Sequence, residues 1–178
     1  MTWRPVFWLV AVGVVILDQA SKQWVLASLE PLERHPVLGD LLSIQLVFNS
    51  GAAFSLGNGY TWLLTVVAAA VTVGIVHYAR RAQSTLAAVI FGVGLGGAVG
   101  NLIDRLFRAP SFGQGHVVDF INYGDQFVGN IADIAIVGAA AALIVAGIFS
   151  KRLLAPAAGA PADAGDEPGT AADAESRG

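Results

Sequence analysis

Four stretches of the chain are apolar over a length that can cross a bilayer, which takes about 20 residues in a helix. Residues 5–26, 61–79, 86–107 and 130–149 are nearly unbroken runs of Val, Leu, Ile, Ala, Gly and aromatic residues. Each therefore predicts a helix that is hydrophobic all round, as a membrane span is, and not the one-sided helix of a soluble domain. Two of the intervening pieces are rich in strand formers. Ser43-Ile-Gln-Leu-Val-Phe48, followed by Asn49-Ser-Gly51, and His116-Val-Val-Asp-Phe-Ile121 both predict extended chain. The second lies in a segment, 108–129, that also carries Gly113, Gly115, Gly124 and Gly129 and predicts a surface loop. The expected architecture is a mainly α membrane protein, with four transmembrane helices, a small exoplasmic β-sheet and a surface loop. In the third span Gly92, Gly96 and Gly100 recur at every fourth position, a row that lets a second helix approach closely.

Composition agrees with that pattern. Of 178 residues, 55% are hydrophobic and 13% charged, and the mean hydropathy is +0.65. A soluble domain carries about 25% charged residues, so an ordinary soluble fold is excluded. The absence of cysteine excludes a disulfide scaffold, a thiol enzyme and a cysteine-ligated metal site. The net charge of −3 belongs to the end of the chain, where Asp163, Asp166, Glu167, Asp173 and Glu175 face one base, Arg177. Residues 155–178 contain no large apolar side chain and predict a disordered cytoplasmic tail, leaving 1–154 as the four-helix transmembrane domain. Nothing suggests a nucleic-acid partner. Basic residues favour the cytoplasmic side. Arg4, Arg80, Arg81, Lys151 and Arg152 all fall on one side of a four-span layout, so both termini are expected in the cytoplasm. Arg34 and Arg108 lie in loops on the other side. The first span could also be read as a cleaved signal peptide, but Asp18, Lys22 and the renewed apolar run at Trp24, Val25 and Leu26 fit that less well.

The few ionisable residues in the spans call for an explanation, because each costs about 2.5–3.5 kcal/mol to insert at a helix centre. They gather at one end of the layout. Asp18 and Lys22 are four apart on the first helix. Asn101, Asp104 and Arg105 end the third span, Asp119 lies in the second extended run, and Asn130 and Asp133 open the fourth span. Asp18, Lys22 and Asp104 can be read as neutralising one another at helix ends, and Arg105 as meeting either a headgroup or a substrate carbonyl. Asn130 suits an N-cap and Asp133 the anion-favouring first turn. Asp119, among Val117, Val118, Phe120 and Ile121, is either a solvated loop residue or one half of a carboxyl pair. Two carboxylates about 3 Å apart share one proton. One member can then activate water while the other protonates a peptide carbonyl. His35, His77 and His116 are scattered, and neither HExxH nor GxSxG occurs, so metal and serine mechanisms have little to draw on and no cofactor is expected.

Five runs in order resemble the successive motifs of bacterial lipoprotein signal peptidase, or signal peptidase II. They are Asp18-Gln-Ala-Ser-Lys22, Asn49-Ser-Gly-Ala-Ala-Phe54, Gly97-Ala-Val-Gly-Asn-Leu-Ile-Asp-Arg105, Val117-Val-Asp-Phe120 and Asn130-Ile-Ala-Asp133. The resemblance spans about 3–150. It implies an aspartyl endopeptidase of the bacterial inner membrane, inhibited by globomycin, that removes signal peptides from diacylglyceryl-modified prolipoproteins just before the lipidated cysteine. It implies Asp119 and Asp133 as the catalytic pair, and Asn49, Gly51, Asn101, Arg105 and Asn130 as residues that line the site or hold substrate. Asp18, Lys22 and Asp104 match supporting positions. The implied partners are prolipoprotein substrates and membrane lipid, and a monomer is expected. Two departures stand out. Gly129 occupies a position where the family commonly has Phe, and the loop before His116 looks longer than usual. A proton-coupled transporter and a non-catalytic scaffold built on the glycine row are the alternative readings of the same residues.

Overall fold

A computed structural model describes residues 3–51 and 61–149. The four spans are all helical: α1 is Trp3–Ser28, α2 Thr61–Ala79, α3 Thr85–Phe107 and α4 Ile131–Phe149. All four are long and apolar enough to cross a membrane. The expected tail at 155–178 and the Ala52–Phe54 part of the second motif lie outside the described residues.

The third helix occupies the middle of the bundle and packs on the other three. Its sequence explains why. The small residues Ala87, Ala88, Gly92, Gly94, Gly96, Gly97 and Gly100 are all buried, so neighbours can come close from several sides. The glycine row foreseen in the sequence is where α1 lies. A methyl group at Gly92 would meet the Phe7 carbonyl and Val10, at Gly96 Val14 and the Ala11 carbonyl, and at Gly100 the Asp18 carboxylate. The short α2–α3 connection makes those helices antiparallel neighbours, and Ser84 caps α3 by accepting a 3.1 Å hydrogen bond from the Ala87 amide. The remaining helix faces carry Leu9, Ile16, Trp62, Val73, Ile144 and Ile148, all exposed, as hydrocarbon contact requires.

A four-stranded antiparallel sheet, ordered β1-β2-β3-β4, completes the fold. The strands are β1 Arg34–Leu38, β2 Leu42–Asn49, β3 Val117–Tyr123 and β4 Phe127–Gly129. The two extended runs expected from sequence are β2 and β3, which pair with each other. β1, interrupted by Pro36, and the three-residue β4 add the outer strands. The sheet rests on the end of α1, burying Val25, Leu46, Val118 and Phe120 together. The 108–116 loop folds back onto the end of α3. The amides of Arg108, Gly113 and Gly115 donate to the carbonyls of Asp104, Leu106 and Arg105, which supplies the partners a helix C-terminus otherwise lacks. Thr65 of α2 fastens the loop by donating to the Gly113 carbonyl at 2.8 Å.

One ionic cluster joins helices and sheet. The Lys22 ammonium lies 2.8 Å from both Asp18 and Asp104, and all three side chains are fully buried. Asp18 spends its other oxygen on the Ala132 amide at 3.0 Å, in the first turn of α4. Asp104 accepts from the Val118 amide at 3.2 Å, on β3, and pairs with Arg108. Gln19 donates to Asp18 and to the Gly100 carbonyl, both at 3.1 Å. Removing one partner of such a buried group strands the others at a cost of about 3–5 kcal/mol. Lys22→Met should therefore sharply lower the unfolding midpoint in detergent. Adding Asp18→Asn and Asp104→Asn should recover part of that loss, because the stranded charges are gone. A midpoint unchanged in Lys22→Met would contradict the buried cluster.

Candidate active site

The chemistry-bearing residues singled out in the sequence converge where α3 ends, α4 begins and the sheet closes over the bundle. Asp119 is a strand residue and not the solvated loop residue of one expectation: it sits in β3 at 2% exposure. In the antiparallel register Val47 lies opposite Asp119 and Asn49 opposite Val117. Asn49 and Asp119 are thus diagonal neighbours on one sheet face, and the Asn49 amide Nδ2 donates to Asp119 Oδ2 at 2.8 Å. β4 leads directly into α4 through Asn130, which is the N-cap. The Asp133 amide donates to Asn130 Oδ1 at 2.9 Å, and Asp133 Oδ2 accepts from the Asn130 amide at 3.1 Å. This reciprocal capping pins Asp133 at the start of the helix.

The two carboxylates are connected through carboxamides. Asn130 Nδ2 donates to Asp119 Oδ1 at 2.6 Å and to Asn101 Oδ1 at 3.1 Å. Asn101 Nδ2 donates to Asp133 Oδ1 at 2.8 Å. Every one of these amides has its oxygen engaged by a fixed donor. Asn101 Oδ1 accepts from the Lys22 ammonium at 2.9 Å, Asn130 Oδ1 from the Asp133 amide, and Asn49 Oδ1 from the Gly51 amide at 2.7 Å. With the oxygens so occupied, all three NH₂ groups must face the carboxylates. Lys22 thus reaches the site indirectly, by setting which way Asn101 points.

A cleft of about 300 Å³ opens on both carboxylates, walled by Leu64 and Val71 of α2, Ala98 of α3 and Ile136 of α4, with Asn49 and Arg105 at its polar end. Asp104 and Arg105, adjacent in sequence, serve different surroundings. Asp104 turns toward Lys22 and β3, whereas Arg105 borders the cleft. One guanidinium nitrogen of Arg105, Nη1, is buried without a hydrogen-bond partner among the described residues. Burial pushes the Asp119 carboxyl up, from 3.8 to about 7. The Asn49 and Asn130 hydrogen bonds oppose the rise, and the negative charge of Asp133 adds to it. Among the described residues no cluster of His, Asp and Glu could hold a metal ion.

Sequence reasoning overlooked two contributors to this arrangement. Gln19 lies inside the first motif but was not singled out, and Arg108 was read as a loop base although it pairs with Asp104. Arg108 could have been found from its i, i+4 spacing to Asp104. The bond of Gln19 to Asp104 crosses between helices and leaves no local signal.

Comparison with known proteins identifies the family. A family model described as signal peptidase (SPase) II matches residues 10–149. A lipoprotein signal peptidase of Mycobacterium avium is 49% identical over 140 residues, 79% of this chain and 77% of that one. One from Mycobacterium tuberculosis is 47% identical over 140 residues, 79% of this chain and 69% of that one. Among solved structures, a bacterial membrane enzyme determined at 1.9 Å superposes with a TM-score of 0.73 at 25% identity, covering 83% of this chain and 95% of that one. The family match, the four spans and the small sheet agree with one another: the chain belongs to the signal peptidase II family, a family of membrane proteases.

Proposed function

We propose that this protease cuts diacylglyceryl-modified prolipoproteins on the N-terminal side of the lipidated cysteine, using water activated by Asp119 and Asp133. The observation that carries the reading is a pair of carboxyls on one cleft, each held by amides whose orientation is locked, with Asp119 poised near neutral pH. Asp119 carries the proton that is donated. Asp133, at the positive end of the α4 dipole, acts as the base. The ionised carboxylate takes a proton from water as its oxygen attacks the scissile carbonyl carbon, and Asp119 gives its proton to the carbonyl oxygen. The resulting gem-diol collapses with cleavage of the C–N bond: the proton on Asp133 passes to the departing cysteine nitrogen while Asp119 takes back a hydroxyl proton, which restores the starting protonation of the pair. Arg105, which borders the cleft and whose Nη1 has no hydrogen-bond partner among the described residues, is suited to the substrate backbone carbonyls. Asn49, Gly51, Asn101 and Asn130 hold the pair in place, and Asp18, Lys22 and Asp104 support them from below. All of these groups come from one chain, so a monomer suffices. The basic residues favour an orientation with both termini in the cytoplasm and the dyad at the exoplasmic interface. There the lipidated cysteine and water are both within reach.

Asp119→Asn and Asp133→Asn should each lower cleavage of a lipidated prolipoprotein by between about a hundred- and ten-thousandfold while the protein remains folded. Full activity in both would refute the dyad. The rate should fall as pH rises through about 7, because Asp119 then loses the proton it donates. Asn49→Ala removes a hydrogen bond that favours the charged form, so its alkaline limb should move to higher pH. The same titration affects stability. Between 3.8 and about 7 the folded protein keeps a proton that the unfolded chain releases, so this group's contribution to stability declines as pH rises across that window. The chain lacks cysteine, so sidedness can be read with single introduced cysteines. Gly39→Cys should react with an impermeant maleimide from outside intact spheroplasts, and Gln83→Cys only after lysis.

A further inference from the structure

A second cavity, of about 480 Å³, lies on the other flank of α4 from the cleft, and Asp133 borders both. Its walls are otherwise almost wholly apolar. Ile134, Val137 and Gly138 of α4 form one side, and Tyr123 and Phe127 of the β3–β4 hairpin reach over it. The two aromatic rings stack, with centroids 6.0 Å apart and planes 19° from parallel. Gly129 permits this roof. A methyl group there would strike the Phe127 ring, at 2.6 Å from Cε1, and the Asp133 carboxylate at 2.9 Å. Positions 127 and 129 share a strand face, so an aromatic side chain from Phe127 covers the ground that a side chain at 129 would take. The floor at Gly138 is open, with nothing within 4 Å of an added Cβ.

We propose that this groove seats one acyl chain of the lipidated substrate, with Phe127 and Gly138 setting its width. The inference rests on the peptidase reading above and names a subsite for it. An occupant must be apolar along its length and end in polar atoms beside Asp133 and Asn130. A helix is excluded by size: at about 10–12 Å across, roughly one turn would fill the whole volume. An extended hydrocarbon chain fits the shape. The acyl chains are esters of a glyceryl group that is thioether-linked to the modified cysteine, so they begin one short linker away from the scissile peptide, and a carbonyl at the dyad brings that linker to the groove's polar end. The signal peptide is left the separate cleft between α2, α3 and α4.

The test compares two prolipoprotein peptides that differ only in having palmitoyl or butanoyl chains. Gly138→Phe and Gly138→Leu place bulk in the groove more than one helical turn from Asp133, at a position where an added Cβ meets nothing within 4 Å. Either variant should raise KM for the palmitoyl substrate about tenfold, the lower part of what overpacking an apolar site costs. The kcat should hold, and the butanoyl substrate should be unaffected. An unchanged palmitoyl-to-butanoyl ratio in both variants would overturn the proposal, as would an equal loss on both substrates. A second readout does not need catalysis. In Asp119→Asn, a diazirine within the first few carbons of the palmitoyl chain should label residues 134–138. Labelling around Leu64 and Val71 instead, or equal labelling by a diazirine phosphatidylcholine at the same mole fraction, would also overturn it. If the peptidase reading itself fails, the unmodified protein cleaves neither peptide; if only the groove assignment fails, cleavage is normal and the labels map elsewhere.

Discussion

The structure depends on one ammonium group held out of water. Lys22 is fully buried between Asp18 and Asp104. Burying an ion carries a penalty of several kcal/mol even after relaxation, so such a cluster is a poor way to gain stability. Its contribution is positional. Each carboxylate that neutralises Lys22 reaches onward to a backbone amide, Asp18 to Ala132 on α4 and Asp104 to Val118 on β3. Those amides belong to the residues next to Asp133 and Asp119 in sequence. A single charge thus sets where the two elements that carry these carboxyls begin, and through Asn101 it also sets how one amide faces.

The same logic explains the asymmetry of the two carboxyls. Asp119 arises from a sheet buried on both faces along Val117–Phe120, and two neutral amides do not replace the water it has lost, so its proton stays to about pH 7. Asp133 arises at a helix start, where backbone amide donors are concentrated and one of them bonds it. A strand delivers one acid and a helix N-terminus the other, and the junction that joins them is Asn130. A pair of carboxyls on two adjacent helices would lack this built-in difference.

Much of this was legible from sequence, for identifiable reasons. Long apolar runs of this length read as spans, and ionisable residues inside them stand out because they are costly. β2 and β3 announced themselves through β-branched and aromatic runs. β1 and β4 did not: Pro36 interrupts one and the other is three residues long. Helix spacing paired Asp18 with Lys22 correctly. It could not separate the tasks of Asp104 and Arg105, whose side chains leave the helix about 100° apart and so meet different neighbours. The contact from Asp18 to Ala132 spans 114 positions and has no local signature. Gly129 registered only as a departure from a family habit. Its meaning, room for the Phe127 ring, depends on a strand pairing that the sequence did not reveal.

The distribution of charge also decides against the transporter alternative. Proton-coupled transport needs protonatable groups reachable from both faces of the membrane. The ionisable residues within the four helices lie at the sheet end, apart from Arg4 at the start of α1 and His77 and Tyr78 near the far end of α2. From 5 to 17, 61 to 76, 85 to 103 and 134 to 149 the helices carry none. The centre of the bundle is instead closed by small residues packed against one another, with Phe7, Ala88, Phe91 and Leu95 in a single buried cluster. A proton at Asp119 or Asp133 therefore exchanges only with water at the sheet end, as hydrolysis requires and transport does not. The scaffold alternative accounts for the glycine row, which α1 occupies fully. It gives no reason for three amides locked onto two carboxylates beside an open cleft, an arrangement that a purely structural role would replace with apolar packing.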